Sequence, residues 1–214
     1  MEDRPVALVT GGTKKLGAEI ARALKDRGYF VYITSRKGME DLGWIPDWAE
    51  LIKGDPGIQQ DAERIIGEVR RRSGRLDVLV ANASSYHEAP LLSMSEIQFK
   101  DAIEGCIYPV NFIVQAAVPL MRARDRSRIV IMGLAGSSAA KAYTKIAAHA
   151  AAKAAVAVLG RSMARELQGS GISVTMVSPG MLDPEDDSSK KRVVDAALRA
   201  MEDGSWEFLD IEVK

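Results

Sequence analysis

The feature that most constrains the fold of this chain is a short apolar run followed at once by paired glycines and an amphipathic segment. The run VALVT at positions 6–10 is followed by GGTKKLG, and Leu16, Ile20 and Leu24 then recur every four residues. An apolar run of this length is typical of a buried strand, and apolar residues four apart share one face of a helix. The pattern therefore predicts a strand, a tight glycine turn and a helix, the unit from which parallel sheets are built.

The same alternation continues along the chain and predicts a doubly wound parallel α/β fold. Strand-like runs lie at 29–35, 78–82, 129–132, 174–177 and 206–213, and Leu51 and Ile52 indicate a stunted further strand. Two long helices, about 95–124 (possibly broken) and 146–168, and a last helix near 191–201 complete the pattern, with the polar run 183–191 left irregular. Strands that are apolar on both faces are covered by helices on both sides. We expect one domain over residues 1–214.

Composition excludes several classes of function. The 29 basic and 29 acidic side chains cancel, so no overall field attracts nucleic acid or an anionic membrane. One cysteine, Cys106, and two histidines, His87 and His149, are too few for a thiolate or histidine metal site. The N-terminus lacks the pattern of a secretory signal, and we identify no apolar stretch long enough to cross a bilayer. We therefore expect a cytoplasmic protein without a metal ion.

The turn after the first strand has the composition of a phosphate site. Gly11 and Gly12 permit a tight turn, and Gly17 permits the helix to pack closely on the strand. The N-terminus of that helix offers backbone N–H groups to a pyrophosphate. Glycines at such a turn also occur for structural reasons alone, so the turn predicts dinucleotide binding only together with its context.

The end of the second strand bears on the choice between NAD and NADP. It reads ITSRKG, with Ser35 and Arg36 where a protein that prefers NAD commonly has a carboxylate for the ribose hydroxyls. A guanidinium suits a ribose 2′-phosphate, and Lys14 offers a second cation. We predict a preference for NADP(H) over NAD(H). The alternative interpretation is a solvated basic loop.

Four segments, in this order and spacing, resemble the short-chain dehydrogenase/reductase family. They are TGGTKKLG, RLDVLVANAS, RIVIMG and HAAAKAAVAVLGRSMARELQGSGISVTMVSPG, and the resemblance extends from Val6 to about Gly180. They are most similar to the pteridine reductase-like branch, which also has a basic residue at the position of Lys15 and an N-A-S-S run like that at 82–85. The resemblance implies a Rossmann fold of strand order 3-2-1-4-5-6-7. Here it is shortened around the third strand and in the substrate loop after Pro179.

The resemblance also implies a dinucleotide cofactor and a set of residues that bind it. Carried over position by position, these residues are Gly11, Thr13, Lys14, Leu16, Gly17, Ser35, Arg36, Asp55, Asn82, Ala83, Lys153, Pro179 and Gly180. The substrate that it implies is a small carbonyl compound.

Members of this family usually associate through the two long helices. In this sequence those helices carry apolar and small residues, namely Ala116, Ala117, Ala151, Ala155 and Leu159. The resemblance therefore predicts a homodimer or homotetramer, or a hetero-oligomer with an intact paralogue.

At the catalytic positions the sequence departs from the family. The family uses a tyrosine as general acid or base, a lysine four residues later that lowers its pKa, a serine that polarises the carbonyl, and an asparagine on the preceding long helix. Lys153 matches the lysine, but His149 stands at the tyrosine position, Leu134 at the serine position and Gly105 at the asparagine position. Leucine and glycine side chains cannot donate a hydrogen bond.

These departures leave three hypotheses open. In the first, the chain binds NADP(H) with impaired or no reductase activity and acts as a sensor, a regulator or a partner subunit. In the second, it is an active NADPH-dependent reductase of a carbonyl or pterin-type substrate, and His149 or a loop hydroxyl (Ser137, Ser138 or Tyr143) transfers the proton. Lys153, one turn from His149, favours the neutral imidazole, which suits a base better than an acid. In the third, the chain is a scaffold with an empty nucleotide cleft.

Overall fold

The architecture alternates strands and helices, and the structure, a computed structural model, describes residues 4–38, 46–123, 126–182, 186–202 and 208–213. The strands are β1 (Val6–Val9), β2 (Phe30–Ser35), β3 (Ala49–Lys53), β4 (Val78–Ala81), β5 (Ser127–Met132), β6 (Ile172–Pro179) and β7 (Leu209–Val213). The helices are α1 (Lys15–Asp26), α2 (Gln59–Ser73), α3 (Glu96–Met121), α4 (Ala147–Glu166) and α5 (Asp187–Glu202), with a 3₁₀ turn at Leu91–Ser93 before α3.

The seven strands form one parallel sheet in the order β3-β2-β1-β4-β5-β6-β7, which confirms the predicted topology. Val6 pairs with Phe30 of β2, and Ala7 pairs with Val78 of β4, so β1 lies between the two halves of the sheet. The winding reverses at β1 and β4. In sheets of this type, ligands bind outside the carboxyl ends of the strands at that reversal.

Helices cover both faces of the sheet, as apolar strands require. On one face α2, α3 and α4 bury a cluster that includes Leu8, Ile65 and Ile113. On the other face α1 and α5 bury a cluster that includes Val9 and Leu24. Leu8 and Val9 are neighbours in the chain and contribute to opposite layers because successive strand side chains point to opposite faces.

Helix α3 is continuous over 26 residues although it contains Pro109 and Pro119. It begins with a capping box, in which the Ser95 hydroxyl accepts from the Gln98 N–H and the Gln98 side chain accepts from the Ser95 N–H. Among the described residues it is the one helix with the length and hydropathy of a membrane span. Our expectation that no stretch has this length is wrong for α3. Its buried residues pack in the core beneath the sheet, as those of a core helix do.

Two boundaries differ from the sequence prediction. Helix α5 begins at Asp187, inside the run that we left irregular, because the Asp186 carboxylate accepts from the Ser188 N–H at 2.9 Å and caps the helix. Strand β3, predicted as a stub, has five residues, all paired with β2. Trp206 and the segment 39–45 of the connection before β3 lie outside the described residues.

Close packing at Gly17 generates a stability prediction. A Cβ at Gly17 would overlap the Gly11 carbonyl oxygen and lie 2.6 Å from Asn82 Nδ2. We predict that Gly17→Ala lowers the free energy of unfolding by about 1–3 kcal/mol in urea titrations. Gly67→Ala, at an exposed position of α2 where a Cβ would meet nothing within 4 Å, is the matched control. It should raise stability by about 0.5–1 kcal/mol. Equal stability of the two variants would contradict the close contact at Gly17.

Candidate functional site

Thr10, directly after β1, joins the ends of the two central strands. Its hydroxyl oxygen accepts from the N–H groups of Asn82 at 2.9 Å and Ala83 at 3.0 Å. The Asn82 amide donates in return to the Thr10 carbonyl at 2.9 Å, and the Gly11 N–H donates to the Thr34 hydroxyl at 3.1 Å. The predicted cofactor residues Gly11, Asn82 and Ala83 therefore lie together. The side chain of Asn82 binds the backbone of the glycine turn itself.

The glycine turn leaves the first amides of α1 without a side-chain cap. Gly11 has a φ of 64°, and Lys15, where most family members have a glycine, has a φ of 49°. Such a conformation is uncommon for a residue with a Cβ. Lys14, the residue before α1, makes no side-chain cap, whereas α3 has a full capping box. Uncapped first-turn N–H groups suit an anion. The predicted residues in this turn are the exposed Lys14, the half-buried Thr13 and Leu16, and the buried Gly17.

A cavity of about 330 Å³ lies at the carboxyl ends of β2 and β3. It is lined by Arg36, Lys53, Gly54, Asp55, Asp61 and Arg64. It unites the predicted residues Arg36 and Asp55 with Arg64, which sequence reasoning missed. The Asp55 carboxylate accepts from the Gly57 N–H at 2.8 Å, and Arg64 donates to the Lys53 carbonyl at 2.7 Å. The pKa of Asp61 is lowered because its carboxylate accepts a hydrogen bond from the Asp55 N–H and, with a smaller effect, from Arg64.

Ser35 has a local role beside this cavity. Its hydroxyl accepts from the Lys37 N–H at 3.0 Å and so fixes the chain as it leaves β2. The neighbouring Arg36 is exposed. Two cations, Arg36 and Lys53, line this opening with the carboxylates of Asp55 and Asp61, and Arg64 is paired with Asp61 at 2.7 Å, so the exposed Arg36 is the group here best placed to meet an anion.

Lys153 of α4 is enclosed at the opposite end of the cleft. Its side chain is buried, with the residue 3% exposed, and its Nζ donates to the Met132 carbonyl at 2.7 Å. Burial lowers the pKa of Lys153, because the charged form is poorly solvated there. The lysine that the resemblance assigns to the cofactor is bonded to the end of β5 in this structure.

His149 is also buried, one turn before Lys153. Its Nδ1 lies 3.1 Å from the Ser85 carbonyl oxygen and 3.4 Å from Cys106 Sγ, and the Tyr86 ring packs edge-on against it at a centroid distance of 5.3 Å. Since a carbonyl oxygen only accepts, the Ser85 contact places the proton of the neutral ring on Nδ1. Burial, reinforced by the charge of Lys153, lowers the pKa of His149 to about 4. At neutral pH the ring is therefore not an acid.

Leu134 and Gly105, which we align with the family's serine and asparagine, both lie in close packing. Leu134 is buried and packs with Ile146 and Ala150 at the start of α4. At Gly105 an added Cβ would lie 2.6 Å from Ser85 Cβ and overlap the Ser85 hydroxyl. The Ser85 N–H also donates to the Gly105 carbonyl at 3.0 Å. Ser85 thus occupies the space that a larger side chain at position 105 would need.

The loop hydroxyls named as alternative proton donors are bound elsewhere or enclosed. Ser138 donates to Asp210, and Tyr143 donates to the Ala135 carbonyl. Ser137 is buried, and its hydroxyl has no hydrogen-bond partner among the described residues. The hydroxyl protons of Ser138 and Tyr143 are therefore donated to groups of the protein itself.

Pro179 and Gly180 lie beside this loop. The Ala135 N–H donates to the Pro179 carbonyl at 2.9 Å, and the Gly180 N–H donates to the Val213 carbonyl at 2.8 Å. Pro184, at a position where the family often has a threonine, lies outside the described residues. His87, on the loop after β4, lies 2.6 Å from the Asp101 carboxylate, and this bond lowers the pKa of Asp101.

Sequence reasoning missed three groups of this site. Ser85 and Cys106 contact His149, Asp210 holds Ser138, and Arg64 lines the cavity. One signal was available for Ser85. A glycine that replaces an asparagine at a packed position leaves a volume that a neighbour must fill. Nothing comparable marks Asp210 or Arg64. Among the described residues no cluster of three or more potential metal ligands occurs.

The fold and the turn at its winding reversal define a dinucleotide-binding type of α/β protein. The family model of the short chain dehydrogenases matches residues 5–193, and the chain belongs to that family. It is 29% identical to YtkK of Bacillus subtilis (strain 168) over 202 residues, 90% of this chain and 78% of that protein. It is 30% identical to the 3-oxoacyl-[acyl-carrier-protein] reductase MabA of Mycobacterium avium over 202 residues, 94% of this chain and 74% of that protein. A solved short-chain dehydrogenase from Streptomyces avermitilis has the same fold, with a TM-score of 0.83 at 24% identity, covering 100% of this chain and 89% of that one.

The buried His149 predicts a pH dependence of stability. Its pKa is about 4 in the folded chain against an ordinary 6.5, so between these values the unfolded chain binds a proton that the folded chain does not. The free energy of unfolding should therefore fall as the pH is lowered, by about 2 kcal/mol between pH 7.5 and pH 5 from this group. Urea titrations at both pH values measure it. His149→Gln should lose this part of the dependence and His87→Gln should keep it; an unchanged dependence in His149→Gln would contradict the burial of a neutral imidazole.

Proposed function

We propose that this protein binds NADP(H) and has lost most or all of the reductase activity of its family, so that it acts as a sensor, a regulator or a partner subunit. The observation that carries the proposal is the state of His149. Its ring is neutral, its Nδ1 is engaged by the Ser85 carbonyl, and its pKa is about 4. At neutral pH the one proton of this ring is donated by Nδ1 to the Ser85 carbonyl, so the group that we align with the tyrosine is a poor acid toward a substrate carbonyl oxygen.

The expected loss of turnover follows from the number of groups replaced. A bound nicotinamide supplies the hydride, and the protein must supply the proton and polarise the carbonyl. Leu134 and Gly105 supply neither, and the Ser138 and Tyr143 hydroxyls donate to protein acceptors. Removing one donor to developing charge costs about 10²–10³ in rate, so replacement of several leaves little catalysis.

The adenosine half of the cleft fits the cofactor. The turn at Gly11 brings uncapped α1 amides next to the exposed Lys14, where a pyrophosphate would be held. The cavity at the end of β2 has the exposed Arg36 on its rim, which favours a 2′-phosphate, and Asp55 at its wall for the adenine side. These residues support a preference for NADP(H).

We extend the proposal to assembly and location. Of the residues predicted for an interface, Ala151 is exposed and Ala116, Ala155 and Leu159 are half-buried, whereas Ala117 is buried in the core and does not contribute. Tyr108 of α3 and Val158 of α4 are also exposed, by 42% and 60%. Exposed apolar side chains on these two helices support a homodimer or homotetramer, or pairing with an intact paralogue, and a cytoplasmic location stays a prediction from the sequence. A monomer by light scattering at micromolar concentration would contradict self-association.

A second candidate function is an active reductase. The names of relatives favour it, since several are 3-oxoacyl-[acyl-carrier-protein] reductases, among them FabG of Staphylococcus aureus (strain Mu50) at 32% identity over 183 residues, 82% of this chain and 74% of that protein. These names favour a 3-oxoacyl thioester as substrate, whereas the pteridine reductase-like features of the sequence favour a pterin. In either case His149 or a loop hydroxyl would have to move the proton.

Cofactor preference is tested by fluorescence titration of NADPH and NADH. We expect NADPH to bind more tightly, and Arg36→Ala to raise its Kd by about 10–100-fold while that of NADH changes little, because a charge-assisted bond to the 2′-phosphate is lost. Arg70→Ala, at an exposed position of α2, is the matched control and should change neither. Absence of NADPH binding in the wild-type chain would contradict the proposal and favour the scaffold.

Restoration of activity tests the loss of catalysis. We predict background turnover of acetoacetyl thioesters and simple ketones by the wild-type chain, and a rise of at least about 10²-fold in a Ser85→Gly, Gly105→Asn, Leu134→Ser, His149→Tyr variant. Ser85→Gly is included because Ser85 fills the space above Gly105. His149→Tyr alone is the control and should stay near background. Wild-type turnover that His149→Gln abolishes would overturn the proposal in favour of the active reductase.

A further inference from the structure

Two carboxylates of β7 hold the loop that follows β5. Asp210 accepts from the Ser178 hydroxyl at 2.5 Å through Oδ1 and from the Ser138 hydroxyl through Oδ2. Glu212 accepts from the Gly136 N–H at 2.7 Å. Residues two apart on a strand point to the same side, so both carboxylates face the loop. We refer to Asp210 and Glu212 as the carboxylate clamp.

The partner on β6 is enclosed, which gives the clamp a defined geometry. Ser178 is fully buried and directly precedes Pro179 and Gly180. Its hydroxyl has room because residue 133 is glycine, where an added Cβ would overlap Ser178 Oγ and lie 3.0 Å from Met176 Cε. A carboxylate oxygen placed next to a buried hydroxyl is stabilised only while the hydrogen bond is made.

Further hydrogen bonds extend the clamp into one connected unit. The Ala135 N–H donates to the Pro179 carbonyl, the Tyr143 hydroxyl donates to the Ala135 carbonyl, and the Gly180 N–H donates to the Val213 carbonyl. The unit comprises the loop 133–143, the end of β6 and the end of β7. The loop contains Leu134 at the family's serine position, and the end of β6 contains the predicted cofactor residues Pro179 and Gly180.

We propose that Asp210 is a positioning residue for the nicotinamide half of the cofactor site, acting through Ser138 and Ser178 without touching the cofactor. The inference rests on the proposed binding of NADP(H). The adenosine half is built by the ends of β1, β2 and β3 and by α1, and the bonds of the clamp do not involve these elements. Loss of the clamp therefore weakens the binding of the whole dinucleotide and spares a ligand that contains only the adenosine end.

Calorimetric titration of NADPH and of adenosine 2′,5′-bisphosphate tests this division. Asp210→Ala should raise the Kd of NADPH about tenfold and leave that of the bisphosphate within about twofold. Asp210→Asn should stay within about threefold of the wild type for both, because an amide accepts from one serine through its oxygen and donates to the other through its nitrogen. Glu50→Ala is the matched control, a carboxylate on the opposite edge strand that pairs with Arg72 at 3.3 Å, and should change neither Kd.

Hydrogen exchange of the ligand-free chain separates a local effect from general destabilisation. In Asp210→Ala, amides of 133–143 and 178–182 should exchange faster, and those of 6–20 should exchange at the wild-type rate. If Asp210→Ala raises the Kd of both ligands equally, or binds NADPH like the wild type, the positioning role is wrong and the proposed function is unaffected. A wild-type chain that binds neither ligand would overturn the proposed function and this inference with it.

Discussion

The hydrogen bonds between Thr10 and the segment Asn82–Ala83 are the interaction on which the rest of the cleft depends. They close the gap between β1 and β4, the two strands at which the winding of the sheet reverses. Asn82 also donates to the carbonyl of Gly11, and Gly17 packs against both. The direction of α1 and the opening of its N-terminus toward the cleft follow from this closure. The same segment leads directly to Ser85, so one set of bonds positions the start of both halves of the site.

The two ends of the cleft differ in whether their charged side chains are exposed or buried. At the ends of β2 and β3 the side chains of Arg36 and Lys53 are exposed, and they line the cavity together with Asp55 and Asp61. At α4, Lys153 is buried against the Met132 carbonyl and His149 is held neutral by burial. On this side Leu134 packs against Ile146 and Ala150, and the ring of Tyr86, a residue that is 50% exposed, lies edge-on against His149. The exposed Arg36 at one end and the buried His149 and Lys153 at the other place the two ends of the cleft in different environments, and the proposed function rests on this contrast.

The fold was predictable because its signals are local, and much of the site was not because its contacts are distant. The apolar runs predict the seven strands, and the resemblance to the family predicts their order in the sheet. The polar run before α5 does not predict the start of the helix, because nothing in the sequence distinguishes the capping Asp186 from a loop residue. The sequence spacing predicts that His149 and Lys153 lie one turn apart on a helix, as they do in α4. It does not predict that His149 Nδ1 donates to the Ser85 carbonyl. Asp210 meets Ser138 across 72 positions of the chain, a distance at which no sequence pattern reports a contact.

The residues at positions 105 and 149 are linked through the packing of Ser85, so a change at one affects the other. Ser85 occupies space that exists only because residue 105 is glycine, and its carbonyl fixes the ring of His149. Leu134 is packed against Ile146 and Ala150, the residues that begin and line the helix on which His149 lies. A change at one position therefore meets a neighbour that is adapted to the present residue, and its effects are not additive with changes at the others. Under the proposed loss of catalysis, an isolated return to the family's residue would restore little chemistry, because catalytic groups act as a unit, and at Gly105 it would also strain the packing against Ser85. The present side chains at positions 85, 105 and 149 are thus adapted to one another, and under the proposed function this packing opposes a stepwise recovery of proton transfer.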